Sequence, residues 1–305
     1  MMEWASDGGL PSHEGSVVNS GEKWVIRSDI IYSHEEFSVL TQYDDVVRET
    51  MKPYQPQPPS TPQPISIYDS SFMRAVDRLY EPVMGVENLS YMIHALVRFT
   101  KPLLCVEIGS GYTTLFILAA LRENEIEMRR VNENKKHIRL LDYPWVVEAE
   151  CLDDRSSKLI CVDNLQHQKE MATSAWAIAG ELGLEDLLDF EIGDAFDNRS
   201  NVRKNSVDLL FADFGVGRRA QEFMRANWET IRPGGYVIIH STLTNANTRS
   251  WVEALRKGAP AEETGIDQGE FEFVSFFERH KRFQNSFTLL QKREGYSEPL
   301  FSESA

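Results

Sequence analysis

Val106-Glu107-Ile108-Gly109-Ser110-Gly111-Tyr112-Thr113-Thr114 lies between two apolar stretches, residues 101–105 and 115–121. This order predicts a buried strand, a tight glycine turn and a helix start. Glycine takes positive φ without steric cost and lets a ligand approach the backbone closely. A helix start presents N–H groups that lack intrahelical partners. In an open α/β sheet, such a turn is where a nucleotide-like cofactor sits. The run departs from a dinucleotide fingerprint in two ways. The third small position of G-x-G-x-x-G falls on Thr114, and an acid, Glu107, stands two places before the first glycine. For this run alone, an ordinary strand–turn–helix remains the alternative.

The pattern continues downstream. Lys158-Leu159-Ile160-Cys161-Val162-Asp163 predicts a second parallel strand, with an acid at the tip where a ribose hydroxyl pair is commonly held. Residues 168–184 place Met171, Ala175, Ile178, Ala179 and Leu182 at helical spacing, with Gly183 near the stop. Residues 188–195 predict a third strand ending in Gly193-Asp194-Ala195, and residues 207–213 a fourth strand tipped by Asp213. Residues 231–240, Ile-Arg-Pro-Gly-Gly-Tyr-Val-Ile-Ile-His, predict a turn and a fifth strand. A helix follows near 248–255, and the apolar runs 271–277 and 286–291 suggest an antiparallel hairpin.

In this order the motifs resemble those of class I S-adenosylmethionine (SAM)-dependent methyltransferases, from about residue 104 to 292. The resemblance implies an α/β fold with a Rossmann-like, seven-stranded methyltransferase sheet. It also implies that Gly109, Ser110, Gly111, Tyr112 and Thr113 cradle the methionine part of SAM, with Glu107 beneath. Asp163 would take the ribose, Asp194 and Ala195 the adenine side, and Asp213 the remaining edge of the cofactor site. The spacing departs from a compact βαβ unit, whose ribose acid follows the glycines by about 20 residues. Here Asp163 comes much later. The extra stretch, 122–157, is expected to be an extended first helix and then an insertion, which is either a solvated elaboration or a functional loop.

The domain reading has three parts: a helical N-terminal extension, 1–100; a SAM-binding domain, 101–293; and a tail, 294–305. Within the extension, 24–51 suggests one or two helices. Six prolines within 53–64 form an extended spacer that cannot be helix or central strand. The spacer is either a plain tether or a linker that carries the N-terminal helices over the cofactor mouth as a lid. Helices are expected at 72–80 and 88–99, with His94 as a packed or surface histidine.

The chain has 305 residues, 42% hydrophobic and 26% charged, an ordinary globular mix. No apolar run approaches the roughly 18 residues of a membrane span. The first residues lack a basic n-region and an apolar h-region, so no secretory signal is expected. The three cysteines, Cys105, Cys151 and Cys161, have no C-x-x-C spacing and read as reduced thiols of a cytoplasmic protein. The formal net charge of −15 argues against nucleic acid as acceptor, since phosphates need a basic face. The expected partners are a small-molecule acceptor and, in a homodimer, a second copy of the chain.

Asp213 and His240 end neighbouring strands, and His280 follows strand six. One carboxylate and two imidazoles there would form a 2-His-1-carboxylate site for zinc or iron. The region also resembles the cation-dependent O-methyltransferases of catechols. Asp213 matches their first acid, but His240-Ser241 replaces their Asp-Asn pair. That change resembles the methyltransferases acting on the β-carbon of 2-oxo acids. The expected chemistry is therefore metal-assisted C-methylation of a 2-oxo acid. Asp213, His240 and His280 would be its metal ligands, and Arg218 or Arg219 its carboxylate clamp. The alternatives are O- or N-methylation of a small metabolite with His240 as general base, and a non-catalytic SAM-fold partner. An NAD-dependent oxidoreductase would need a glycine at Thr114 and an earlier acid, and both are missing.

Overall fold

Two apolar runs build the centre of the sheet. Strand β1 (Leu104–Ile108) is buried from its second residue onward and β4 (Val207–Ala212) along its whole length. That is the pattern of parallel strands covered on both faces. The computed structural model describes residues 65–82, 84–134, 157–166, 169–196 and 202–293. Its other strands are β2 (Lys158–Asp163), β3 (Leu188–Ile192), β5 (Ile231–His240), β6 (Phe271–Phe277) and β7 (Ser286–Lys292). Its helices are α1 (Ser70–Val76), α2 (Glu87–Thr100), α3 (Tyr112–Asn134), α4 (Lys169–Glu181), α5 (Ala220–Asn227), α6 (Ala246–Arg256) and α7 (Ala261–Thr264).

The seven strands form one sheet in the order β3-β2-β1-β4-β5-β7-β6. The first five run parallel, and β7 runs antiparallel to both β5 and β6. The α/β sheet and its closing hairpin are thus as expected. Strand order reverses between β1 and β4, so a crevice opens outside their carboxyl ends. Asp163, Asp213 and His240 all lie at this edge.

Each face of the sheet carries its own core. On one face, Phe72, Val97, Leu115, Phe116 and Ile178 are buried together, and the Phe72 and Phe116 rings meet edge to face at 5.4 Å. On the other, Phe223, Trp251 and Val252 of the helices pack against Leu290 and other strand residues of the sheet. The helix expected at 72–80 is shorter, because α1 ends at Val76 and a 3-10 turn, Asp77–Leu79, follows.

Helix α3 runs 23 residues, matching the extended first helix. The charged stretch of this helix from Arg122 onward is not all solvated, however. Arg122 is buried and donates to Glu125 and to the Gly183 carbonyl, and it pairs with Asp186. The guanidinium thus ties the helix to the α4–β3 connection. The remainder of the insertion, the lid and linker expected within 1–64, Cys151 and the tail lie outside the described residues. Among the described residues no helix is long and apolar enough to cross a membrane.

The Arg232-Pro233-Gly234-Gly235 run, expected as a turn, is absorbed into β5, where the pairing with β4 shifts register between Val207 and Leu209. Gly234 has φ 78°. A side chain on Gly235 would come within 2.9 Å of the Arg232 and Val207 carbonyl oxygens. Gly235→Ala is therefore expected to lower unfolding stability by about 1–3 kcal/mol, the usual cost of overpacking. Denaturant unfolding of the two proteins checks it.

Candidate active site

The glycine turn is fastened by the strands around it. The Gly109 N–H donates to the Val162 carbonyl at 2.9 Å, and the Asp213 N–H donates to the Ile108 carbonyl at 2.9 Å. Gly109 has φ 88°, and a side chain there would come within 2.7 Å of the Asp213 carbonyl oxygen. Both conformation and space therefore require glycine at this position.

Beneath the turn, Glu107 is wholly buried. The Thr114 hydroxyl donates to its Oε2 at 2.6 Å, and the Cys161 thiol lies 3.1 Å from the same oxygen. Thr114 Oγ1 also accepts from the Gly111 N–H at 2.9 Å. Thr114, noted in the sequence only as a missing glycine, thus links the motif acid to the turn. Its signal was a hydroxyl on the first turn of a helix, within reach of a buried acid. The other carboxyl oxygen of Glu107, Oε1, has no hydrogen-bond partner. Burial pushes the Glu107 carboxyl up to about 8, against the pull of the Thr114 and Cys161 hydrogen bonds, while the charges of Asp213 and Asp163 add to the rise.

The turn does not offer the free N–H groups its sequence suggested. The Ser110 N–H donates to Asp163 Oδ2 at 3.1 Å, and the Gly111 N–H is taken by Thr114. The second oxygen of Asp163 accepts from the Leu165 N–H at 2.7 Å. A pyrophosphate needs such amides unengaged, so the turn suits a cofactor without one.

A cleft of about 850 Å³ opens over the turn, within the range of a cofactor with a small acceptor. Gly109, Ser110, Gly111, Tyr112, Asp163, Asp194, Ala195 and Asp213 line it as expected. Thr113 does not, since it is buried with its hydroxyl 3.5 Å from that of Ser90. Phe196 and Phe214, not anticipated, form an edge-to-face aromatic wall. Glu81, Asp163, Asp194 and Asp213 bring four carboxylates to the described lining, against the guanidinium of Arg219 and the imidazole of His240. That guanidinium lies 3.4 Å from the centre of the Phe196 ring and makes two 2.7 Å bonds to Glu222. The field in the cleft favours a cation such as a sulfonium. The orphaned Oε1 of Glu107, the glycine cradle and this acidic lining all fit SAM.

Asp213 and His240 come together as expected. Nδ1 of His240 lies 2.8 Å from Asp213 Oδ1, and Nε2 lies 3.3 Å from the Gln284 carbonyl oxygen. Both neighbours accept hydrogen bonds, so the ring satisfies both only when each nitrogen carries a proton. Burial pulls the imidazole pKa down. The Asp213 hydrogen bond and charge, with the Gln284 carbonyl, outweigh that and the Lys281 charge, and hold it above the usual histidine value.

The three-ligand metal centre is not formed. His280 is exposed, with Nε2 3.5 Å from Glu278 Oε2 and 3.5 Å from Asn88 Nδ2, away from the pair. Lys281, not His280, turns inward at this hairpin, to Glu87 at 3.0 Å and Glu278 at 3.1 Å. Both nitrogens of His240 are engaged, and a ligating imidazole needs a free lone pair. Among the described residues no cluster of three or more His, Cys, Asp or Glu side chains is placed to hold a metal ion. The donor set therefore does not fit the expected zinc or iron. Arg218 is also misplaced as a clamp. It is exposed and outside the cleft, while Arg219, its neighbour in the 3-10 turn Gly217–Arg219, lines it. Consecutive residues of such a turn point about 120° apart.

Two variants test the buried acid. Thr114→Val leaves Glu107 and the Gly111 N–H short of a partner and is expected to cost about 1–3 kcal/mol of stability. Folded Glu107 keeps its proton where the unfolded chain loses it. Its contribution is therefore fully present at acidic pH and is lost as pH rises from about 4.5 towards about 8. Glu107→Gln should remove that part of the pH dependence in thermal melts.

Residues 106–242 match a family model described as a methyltransferase domain. No curated protein matches the chain. Among solved structures, the O-methyltransferase from Bacillus cereus in complex with SAH superposes with a TM-score of 0.50 at 12% identity, over 83% of this chain and 100% of that one. Cofactor-bound Rv0187 from MTB superposes with a TM-score of 0.50 at 14% identity, over 79% of this chain and 100% of that one. At such identities these two likenesses speak to the fold. The family match runs from β1 through β5 and so spans every strand tip that borders the cleft. That match and the chemistry of the cleft support a SAM-dependent methyltransferase, with residues 106–242 as its methyltransferase domain.

Proposed function

We propose that the enzyme methylates an oxygen atom of a small-molecule acceptor, with the Asp213–His240 pair beside the reacting oxygen. The observation that carries this reading is the placement of His240. Its ring, held by Asp213, lines the same cleft that the glycine turn enters. Bound SAM supplies a methyl group on a sulfonium sulfur, an electrophile that needs a positioned nucleophile. The chain's own residues supply the positioning. Gly109, Asp163 and Asp194 hold the donor side, and Pro82, Met84 and Val86 give the cleft an apolar wall for the body of an acceptor. Asp213 keeps a proton on Nδ1 of His240. Once Nε2 has shed its own proton, that nitrogen can take one from the acceptor hydroxyl as general base. The O-methyltransferase from Bacillus cereus, solved with SAH, is a fold relative. Metal-assisted C-methylation of a 2-oxo acid drew its force from a three-ligand centre, and the observed donor set lends it none.

The test uses SAM carrying a ¹³C methyl group and a panel of phenols, enols, carboxylic acids and 2-oxo acids. Product NMR should show an oxygen-bound methyl group, and turnover should survive a chelator. A carbon-bound methyl group, or loss of turnover on chelation, would reject the reading. His240→Ala should lower turnover by about 10²–10⁴-fold with SAM affinity unchanged. The base must be neutral, and Asp213 outweighs burial and Lys281 in raising its pKa. Turnover should therefore rise with pH through a value above the ordinary histidine range.

A further inference from the structure

The Gln284 carbonyl that meets His240 is held there by a residue from a different part of the chain. Gly85, just before α2, has φ 83°. A side chain at this position would run into Gln284 Cβ and come within 2.7 Å of its Oε1 and 2.8 Å of its carbonyl oxygen. Gln284 itself has φ 44°, a left-handed conformation that a non-glycine residue keeps only where the surroundings enforce it. Those surroundings are specific. Lys281 Nζ donates to the Gly85 carbonyl at 3.3 Å and pairs with Glu87 at 3.0 Å and Glu278 at 3.1 Å, tying the start of α2 to the β6–β7 turn. Within the turn, Asn285 Nδ2 donates to the Lys281 carbonyl at 2.8 Å.

We propose that Gly85 and Gln284 are positioning residues for His240. The close approach allowed by Gly85 sets the Gln284 carbonyl against Nε2, while Asp213 holds Nδ1. Two anchors on opposite edges fix the plane of the ring, because rotation about Cβ–Cγ breaks both bonds. The ring then meets an acceptor in one orientation; once Nε2 has lost its proton to solvent, the acceptor hydroxyl takes the place of the Gln284 carbonyl and donates to that nitrogen. Preorganisation of this kind saves the ordering cost at the moment of reaction. This inference rests on the placement of His240 beside the acceptor, but its first readout needs no acceptor.

The experiment uses the full chain labelled with ¹⁵N-histidine, with SAH as the bound probe and His240→Ala to assign the ring signals. The wild type should show a protected Nε2–H. Gly85→Ala and Lys281→Met, which cuts the tie between α2 and the turn, should each speed exchange of that proton by about tenfold or more. The Asp213-bound Nδ1–H should remain, and SAH affinity should stay within about twofold. Turnover should fall in both variants without a change in the KM for SAM. If Gly85→Ala does not fold, Lys281→Met alone decides. A wild-type Nε2–H signal in the folded variants would overturn the positioning role and leave the function of His240 standing. Full turnover in His240→Ala would instead overturn the reading on which the inference rests.

Discussion

The cleft depends on the contact between Gly109 and Asp213. One residue leaves β1 with φ 88° and a carbonyl oxygen where its side chain would stand. Any larger residue would push β4 away from β1 or force the turn out of the left-handed region. Either change would separate the strand tips that carry Asp163, Asp213 and His240. The backbone bonds from Gly109 to Val162 and from Asp213 to Ile108 lock β2, β1 and β4 at the same level. The site is thus a property of strand register first and of side-chain choice second.

Electrostatics follow from that geometry. Parallel strands tipped by acids bring several carboxylates to one crevice, where they destabilise one another until a cation arrives. Part of the strain is relieved within the chain. The backbone amides of Ser110 and Leu165 bind Asp163, the imidazole of His240 binds Asp213, and Glu107 keeps its proton because burial makes ionisation costly. The rest is met by the sulfonium cofactor. The same reasoning explains why the imidazole that ends β5 does not suit a metal ligand as it stands. A neighbouring carboxylate and a carbonyl already use both of its nitrogens.

Much of this was legible in the sequence, because parallel buried strands write themselves as apolar runs. An acid that ends such a run must lie at the carboxyl edge, so Asp163, Asp213 and His240 could be placed without coordinates. What was not legible depended on side-chain direction within irregular turns. His280 and Lys281 are neighbours in a hairpin turn, and nothing in their order says which one faces inward. Arg218 and Arg219 pose the same problem in a 3-10 turn. The structural role of Thr114 was not seen, because a template for a different cofactor asked only whether it was glycine. The burial of Arg122 was not legible because two of its partners, the Gly183 carbonyl and Asp186, lie far along the chain. The role of Gly85 required knowing that α2 begins beside the β6–β7 turn, a contact no local pattern announces.

The central claim is that the cleft over the glycine turn holds SAM, with Asp163 as a fixed polar anchor. Calorimetric titration of SAM into the wild type and Asp163→Ala tests it most directly, with melting curves to confirm that both proteins are folded. Saturable one-site binding in the wild type, weakened by about 1–3 kcal/mol in the variant, is the expected result. Equal affinity in the two proteins, or no binding to the wild type, would contradict the claim.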